Sequence, residues 1–199
     1  MIKSELKPWL SLKSVQLSIL YNHYEMLIRW GERMNLTGLA PGAELVQRHY
    51  CESLFFAAHL PREGVTVADI GSGAGFPGFP LAVVYPGRNV TLVESNQRKA
   101  VFLRESTREC PNIKVLRTRT EDLPVTFDWL VSRAVRVGDL LPLVPRVAPR
   151  IGLMLVEREF RAIQRHQHVA WSEPIQVPWG DHRICVYGVS REGFTWNDG

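Results

Sequence analysis

The sequence predicts an α/β protein with a Rossmann-like parallel sheet, an N-terminal helical extension and a C-terminal antiparallel edge hairpin. Three observations carry this. From residue 65 onward, short β-rich apolar runs alternate with helical stretches, as parallel strands and their crossover helices do. A loop with glycines at 71, 73 and 75 follows the first of those runs and leads into a helix. Before residue 62, apolar side chains recur at three- and four-residue steps, the period of an amphipathic helix.

In order, Leu17, Leu20, Tyr21, Tyr24, Leu27, Ile28 and Met34 define a first helix, broken by the segment from Leu36 to Gly42 with its Pro41. A second helix is expected over residues 43–60, with Leu45, Val46, Tyr50, Leu54 and Phe55 on one face and Pro61 as its stop. Residues 65–70 form the first strand, and a helix starts near Pro77, since proline suits a first helical turn. Strands at 89–93 and 113–116 flank a helix over 96–109. Strands at 127–132 and 151–156 flank a helix near 137–147. Residues 175–178 and 183–189 read as two strands joined by a turn, the edge hairpin. Residues 1–62 are therefore the extension and 63–199 the sheet core, in one compact domain.

The 199 residues suffice for one core, and 45% hydrophobic with 22% charged residues excludes a disordered chain. No stretch approaches the roughly 20 apolar residues of a membrane span. Lys3, Glu5 and Pro8 interrupt the start where a signal peptide needs an apolar run, so a cytoplasmic location is expected. The net charge of +4 favours a polyanionic partner, and arginine suits phosphate pairing and base stacking. Cys51, Cys110 and Cys185 are odd in number and far apart, which reads as reduced, mostly buried thiols. His166 and His168 are two residues apart and do not share a helix face, so no metal site is expected.

The glycine loop is the central signal, because three alternating glycines exceed what a plain turn needs and let a ligand approach the main chain. The span from Gly73 to Gly78 also fits GxGxxG, which keeps a nicotinamide dinucleotide open as an alternative. Asp69, at the end of the strand, favours S-adenosylmethionine, whose amino-acid part meets an acid there; dinucleotide enzymes usually carry an apolar residue. Glu94, closing the second strand, suits ribose hydroxyls in either class. Thr120 and Glu121 follow the third strand, where an acid can accept an adenine amine; the lesser alternative for Glu121 is a solvated acid of a helix start. Arg133, in Ser132-Arg133-Ala134, could hold a cofactor carboxylate, a guanine O6, a phosphate or a structural salt bridge.

Further motifs are Met34 to Thr37, Arg48-His49 leading to Glu52 and Leu54, Phe76-Pro77-Gly78 after the loop, Leu92 to Asn96, Lys99 to Arg104, and Phe127-Asp128 ahead of Ser132. Together, from about Trp30 to Val156, they resemble the RsmG (GidB) family of S-adenosylmethionine-dependent 16S rRNA guanine-N7 methyltransferases, built on the class I methyltransferase sheet. The resemblance implies cofactor contacts at Gly71, Phe76, Thr120, Glu121 and Arg133, with Glu94 on the ribose and Asp69, Gly73 and Gly75 completing the site. It implies N7-methylguanosine in a decoding-centre loop as product, 16S rRNA or the small ribosomal subunit as partner, and a monomer. Arg48, His49, Arg104 and Arg136 are the RNA-binding candidates.

The chain departs from the family at three places. Glu52 replaces the usual aspartate, Gly31 rather than asparagine follows Trp30, and Glu157-Arg158 replaces the lysine-glycine that closes the fifth strand. Guanine N7 carries an exposed lone pair, so its methylation needs no general base, and Arg133 is expected to position rather than to move a proton. The alternatives are a methyltransferase of a non-RNA substrate and an NAD-dependent oxidoreductase.

Overall fold

In the computed structural model, which describes residues 1–123, 125–133, 135–144 and 146–191, the apolar runs become strands. These are β1 (Thr66–Ile70), β2 (Asn89–Val93), β3 (Ile113–Leu116), β4 (Trp129–Arg133), β5 (Arg150–Val156), β6 (Val169–Trp171), β7 (Ile175–Gln176) and β8 (Arg183–Ser190). One sheet joins them in the order β3-β2-β1-β4-β5-β8-β6, with β7 paired to β8. β1 to β5 are parallel, and the strand order reverses at β1, which pairs with β2 on one side and β4 on the other. Such a switch point opens a crevice at the carboxyl ends of the strands, and the glycine loop lies there.

The expected C-terminal antiparallel hairpin is present as β7 and β8, which pair from Ile175↔Cys185 to Gln176↔Ile184. β8 is interior: it pairs antiparallel with β5 from Arg150↔Val189 to Val156↔Arg183, while β6 and β7 take its other side. Ile184, Cys185, Val186 and Tyr187 are all buried, as befits a central strand covered on both faces by other layers. The three-residue β6 escaped the sequence reading because so short a run carries no period.

The helices are α1 (Ile2–Leu6), α2 (Ser14–Gly31), α3 (Ala43–Leu45), α4 (Glu52–His59), α5 (Gly78–Val84), α6 (Gln97–Ser106), α7 (Val137–Leu140) and α8 (Glu157–Ile163). The helix expected over 43–60 is not uniform. Val46–Cys51 winds as a π-helix between α3 and α4, with the Glu52 N–H donating to the Gln47 carbonyl. Asn96 caps α6 by accepting from the Arg98 and Lys99 N–H groups. α6 ends earlier than expected, where the Thr107 hydroxyl takes the Leu103 carbonyl at 2.7 Å. The helix expected near 137–147 shrinks to α7 and a 3-10 turn at Leu141–Leu143 that contains Pro142.

Side-chain alternation along the strands feeds two cores. Val67, Val90, Leu92, Trp129 and Val131 face one core, which Leu20 and Leu27 of α2 and Leu54 to Phe56 of α4 complete. Ala68, Ile70, Leu130, Ile151 and Leu153 face the other, against Leu140 to Val144 and Phe160. The extension is thus part of the first core, and Trp179 beyond β7 donates to Glu5 of α1 at 2.6 Å. Asp128 explains the Phe127-Asp128 motif structurally. Its Oδ2 accepts from the Val65 and Thr66 N–H groups, each at 2.8 Å, and locks the start of β1 to β4. Cys51, Cys110 and Cys185 are each buried and unpaired. Among the described residues no helix is long and apolar enough to cross a membrane.

Candidate active site

β1 delivers its last residues into the switch point, and the chain must then reverse to start α5. Gly71, Gly73 and Gly75 take φ of 69°, 58° and 96°, a region that other residues enter only with strain. The Gly71 and Ser72 N–H groups donate to the Val93 carbonyl at 3.0 and 3.1 Å, which ties the loop to the end of β2. A Cβ at Gly71 would lie 2.5 Å from Val135, and one at Gly78 would lie 2.7 Å from the Asp69 carboxylate, so both glycines serve close packing. Gly73 differs: a Cβ there would meet only the Gly71 carbonyl, at 3.8 Å.

The two acids sit at different depths. Asp69 is fully buried, its Oδ2 accepts from the Gly78 N–H at 3.0 Å, and its Oδ1 has no partner. Burial pushes its carboxyl up to about 7, against the pull of the Gly78 and Ser72 hydrogen bonds. Glu94 accepts from the Gly73 N–H at 3.0 Å and from the Asn96 N–H at 2.8 Å, bridging the glycine loop and the loop after β2. Thr120 and Glu121 fall in a 3-10 turn, Thr120–Asp122, after β3. The Glu121 side chain lies outside the described residues, as does Ala134.

Opposite the loop stands the π-helical turn. His49 stacks on Phe76 with ring centroids 4.9 Å apart at 14°. Its Nε2 is 2.7 Å from the Thr37 hydroxyl, and its Nδ1 is 3.4 Å from Nη1 of Arg133. Because an arginine can only donate, Nδ1 is the acceptor and Nε2 carries the proton toward Thr37. Burial, then the nearby Arg133 and Arg48 charges, bring its pKa down to about 3, so His49 is neutral at physiological pH. Deeper in, Nδ1 of His23 in α2 lies at hydrogen-bond distance, 2.7 Å, from the Tyr50 hydroxyl, and its ring stacks on Phe79 at 4.1 Å. A Cβ at Gly75 would lie 3.5 Å from its Nε2, so this ring backs the loop.

Arg133 ends β4 and reaches into the π turn, where Nη1 donates to the Arg48 carbonyl at 2.6 Å and Nη2 pairs with Glu52 at 3.5 Å. Glu52 is 1% exposed and also holds Arg183 of β8 at 2.7 Å. Burial pushes its carboxyl up, while the Arg133 and Arg183 guanidiniums pull it back. The longer arm of a glutamate here spans two arginines on two strands.

The structure brings Asp69, Gly71, Gly73, Gly75, Phe76, Glu94, His49 and Arg133 together. Arg48 flanks them, half-buried and paired to Glu44 at 3.8 Å. Arg136 is exposed at the start of α7, next to the Val135 that packs on Gly71. Arg104 stands exposed in the last turn of α6, with no hydrogen bond or ion pair to the loop among the described residues. Sequence reasoning missed His23, and it named Thr37 and Glu52 only within motifs, without their roles as the partner of His49 and as a counter-ion. A single histidine on an amphipathic helix carries no signal of burial. Glu157, the departure after β5, pairs with Arg161 at 3.6 Å, which offsets its charge locally. Among the described residues no group of three or more His, Cys, Asp or Glu could hold a metal.

Comparison with known proteins is consistent with this geometry. A protein of Aquifex aeolicus described as a SAM-dependent methyltransferase superposes with a TM-score of 0.61 at 17% identity, covering 75% of this chain and 94% of that one. A magnesium protoporphyrin IX methyltransferase from Synechocystis PCC 6803, solved with bound SAM, gives 0.58 at 15% identity, covering 91% and 99%. These share the fold. In sequence, ribosomal RNA small subunit methyltransferase G of Xanthomonas euvesicatoria is 40% identical over 192 residues, 88% of each chain. Its counterpart from Chloroflexus aggregans is 34% identical over 184 residues, 82% of this chain and 77% of the relative. The family model described as rRNA small subunit methyltransferase G matches residues 16–158, and with it the loop, both acids, the π turn and Arg133: the chain belongs to that family.

Proposed function

We propose that the protein transfers the methyl group of S-adenosylmethionine to N7 of a guanosine in a decoding-centre loop of 16S rRNA, acting as a monomer in the cytoplasm. The observation that carries this reading is the pairing of an open glycine loop, backed by Asp69 and Glu94, with a facing wall whose one histidine is neutral and hydrogen-bonded. The cofactor fits the residues present. Oδ1 of Asp69 is a buried acceptor without a partner, suited to an amino-acid ammonium, and the space beyond Gly73 is open to a ligand. Glu94 has lone pairs left for ribose hydroxyls. Phe76 and the Thr120–Asp122 turn would complete the holding groups.

When bound, the cofactor supplies an electrophilic methyl on a positively charged sulfur. The chain's own groups hold and orient. Arg133 is fixed from two sides by the Arg48 carbonyl and Glu52, so it presents its charge in one place. His49, neutral and stacked on Phe76, excludes water and takes no proton. That suits a nucleophile that has none to lose, and catalysis here is positioning.

The test is methyl transfer from labelled S-adenosylmethionine to small subunits or 16S rRNA lacking the modification, followed by nucleoside analysis. Label in N7-methylguanosine is the expected result. Cofactor binding without any RNA product would move the substrate elsewhere. Binding of NAD in place of S-adenosylmethionine would overturn the reading altogether.

A further inference from the structure

A groove of about 1070 Å³ runs between the C-terminal part of α2 with the turn after it and the first turns of α6. Met26, Trp30 and Met34 give it an apolar, half-buried lining, and Trp30 is braced edge-on by Phe102 at 5.7 Å. Arg29 and Arg33 line it from one side and Arg98 from the other, all exposed; Glu32 is the one acid among the lining residues. None of the three arginines forms an ion pair among the described residues.

On both sides the groove lining is close in sequence to residues of the methyl-transfer site. Asn96 lines it, and the Asn96 N–H is bonded to Glu94 at 2.8 Å. Met34 lines it three residues before Thr37, whose hydroxyl meets His49. Cations of one sign around an aromatic and thioether lining match a single strand, whose bases stack while its phosphates run along the rim. We propose that this groove holds the single-stranded rRNA flanking the target guanosine, with bases against Trp30 and phosphates on Arg29, Arg33 and Arg98. The inference rests on the rRNA reading above.

The experiment compares the wild-type protein with Arg29→Gln/Arg33→Gln/Arg98→Gln, using small ribosomal subunits that lack the methyl mark as acceptor. The expected result is a KM for subunits raised about tenfold or more. The slope of log affinity against log salt should fall by about 0.7 for each arginine removed. The affinity for S-adenosylmethionine should stay unchanged, which reports an intact fold. An unchanged KM and salt slope in the triple variant, with wild-type transfer intact, overturns the groove and leaves the rRNA reading standing. A wild-type protein that methylates no RNA overturns both. Val101 lines the same groove and is exposed. A photocrosslinker on Val101→Cys should label rRNA; label on a ribosomal protein instead overturns the proposal.

Discussion

Oε2 of Glu52 lies 3.5 Å from Nη2 of Arg133, and that contact ties the end of β4 to the first residue of α4. Both groups are largely shielded from water, and the second oxygen of Glu52 holds Arg183. One carboxylate therefore fixes the position of a site arginine and the packing of β8 at once.

Removing that carboxylate should be expensive. Glu52→Gln leaves two guanidiniums close together without a counter-charge and should destabilise the fold by about 3–5 kcal/mol, read by urea unfolding. Glu52→Asp keeps the charge and should cost less. Arg133→Ala leaves Glu52 paired to Arg183, so stability should fall modestly while methyl transfer falls by about a hundredfold or more. Normal turnover in that variant would make Arg133 purely structural.

Gly73 within the loop and Gly78 at the start of α5 should fail in different ways. Gly73→Asp places a carboxylate in open space beside Glu94, at a φ of 58°. It should abolish S-adenosylmethionine binding at a stability cost of about 1–2 kcal/mol. Gly78→Ala would put a Cβ 2.6 Å from Leu92 and 2.7 Å from Asp69. It should cost about 1–3 kcal/mol through overpacking. Calorimetric titration beside thermal unfolding separates the two effects.

Acid should unfold the protein early, because His23 and His49 are both held near a pKa of about 3, against 6.5 when unfolded. Between those values the unfolded chain takes up protons that the folded one refuses. Stability is therefore fully present above about pH 6.5 and drains as pH falls toward 3, at up to about 1.4 kcal/mol per pH unit for each histidine. His49→Gln should roughly halve that slope in urea unfolding measured from pH 7.5 downward. It should leave the shape of the pH profile of methyl transfer unchanged from the wild type; an altered shape would show His49 acting as a base.

Asp69 works in the opposite sense. Its folded value of about 7 stands above the 3.8 of an exposed aspartate, so folding retains a proton that the unfolded chain releases. This group's contribution to stability is lost as pH rises from about 4 to 7. Asp69→Asn can still accept from the Gly78 N–H, and its stability relative to wild type should climb across that window. Its affinity for S-adenosylmethionine should drop roughly tenfold to a hundredfold, the worth of a hydrogen bond to a charged group.

Taken alone, the sequence determined the parallel strands β1 to β5, the glycine loop between β1 and α5, and the acids that flank it. Those signals are local: a strand's apolar run, a glycine's left-handed φ and an acid at a strand end are each properties of a few consecutive residues. The same locality limited what could be read. The interior place of β8, the π turn that sets His49 against Phe76, and the burial of His23 depend on what packs against them. Glu52 could be read as a departure from a family pattern, but not as the counter-ion of two arginines on strands far along the chain. Desolvation decided these features: each buried charge or ring takes its role from partners that only the folded chain brings within reach, and no window of sequence contains them.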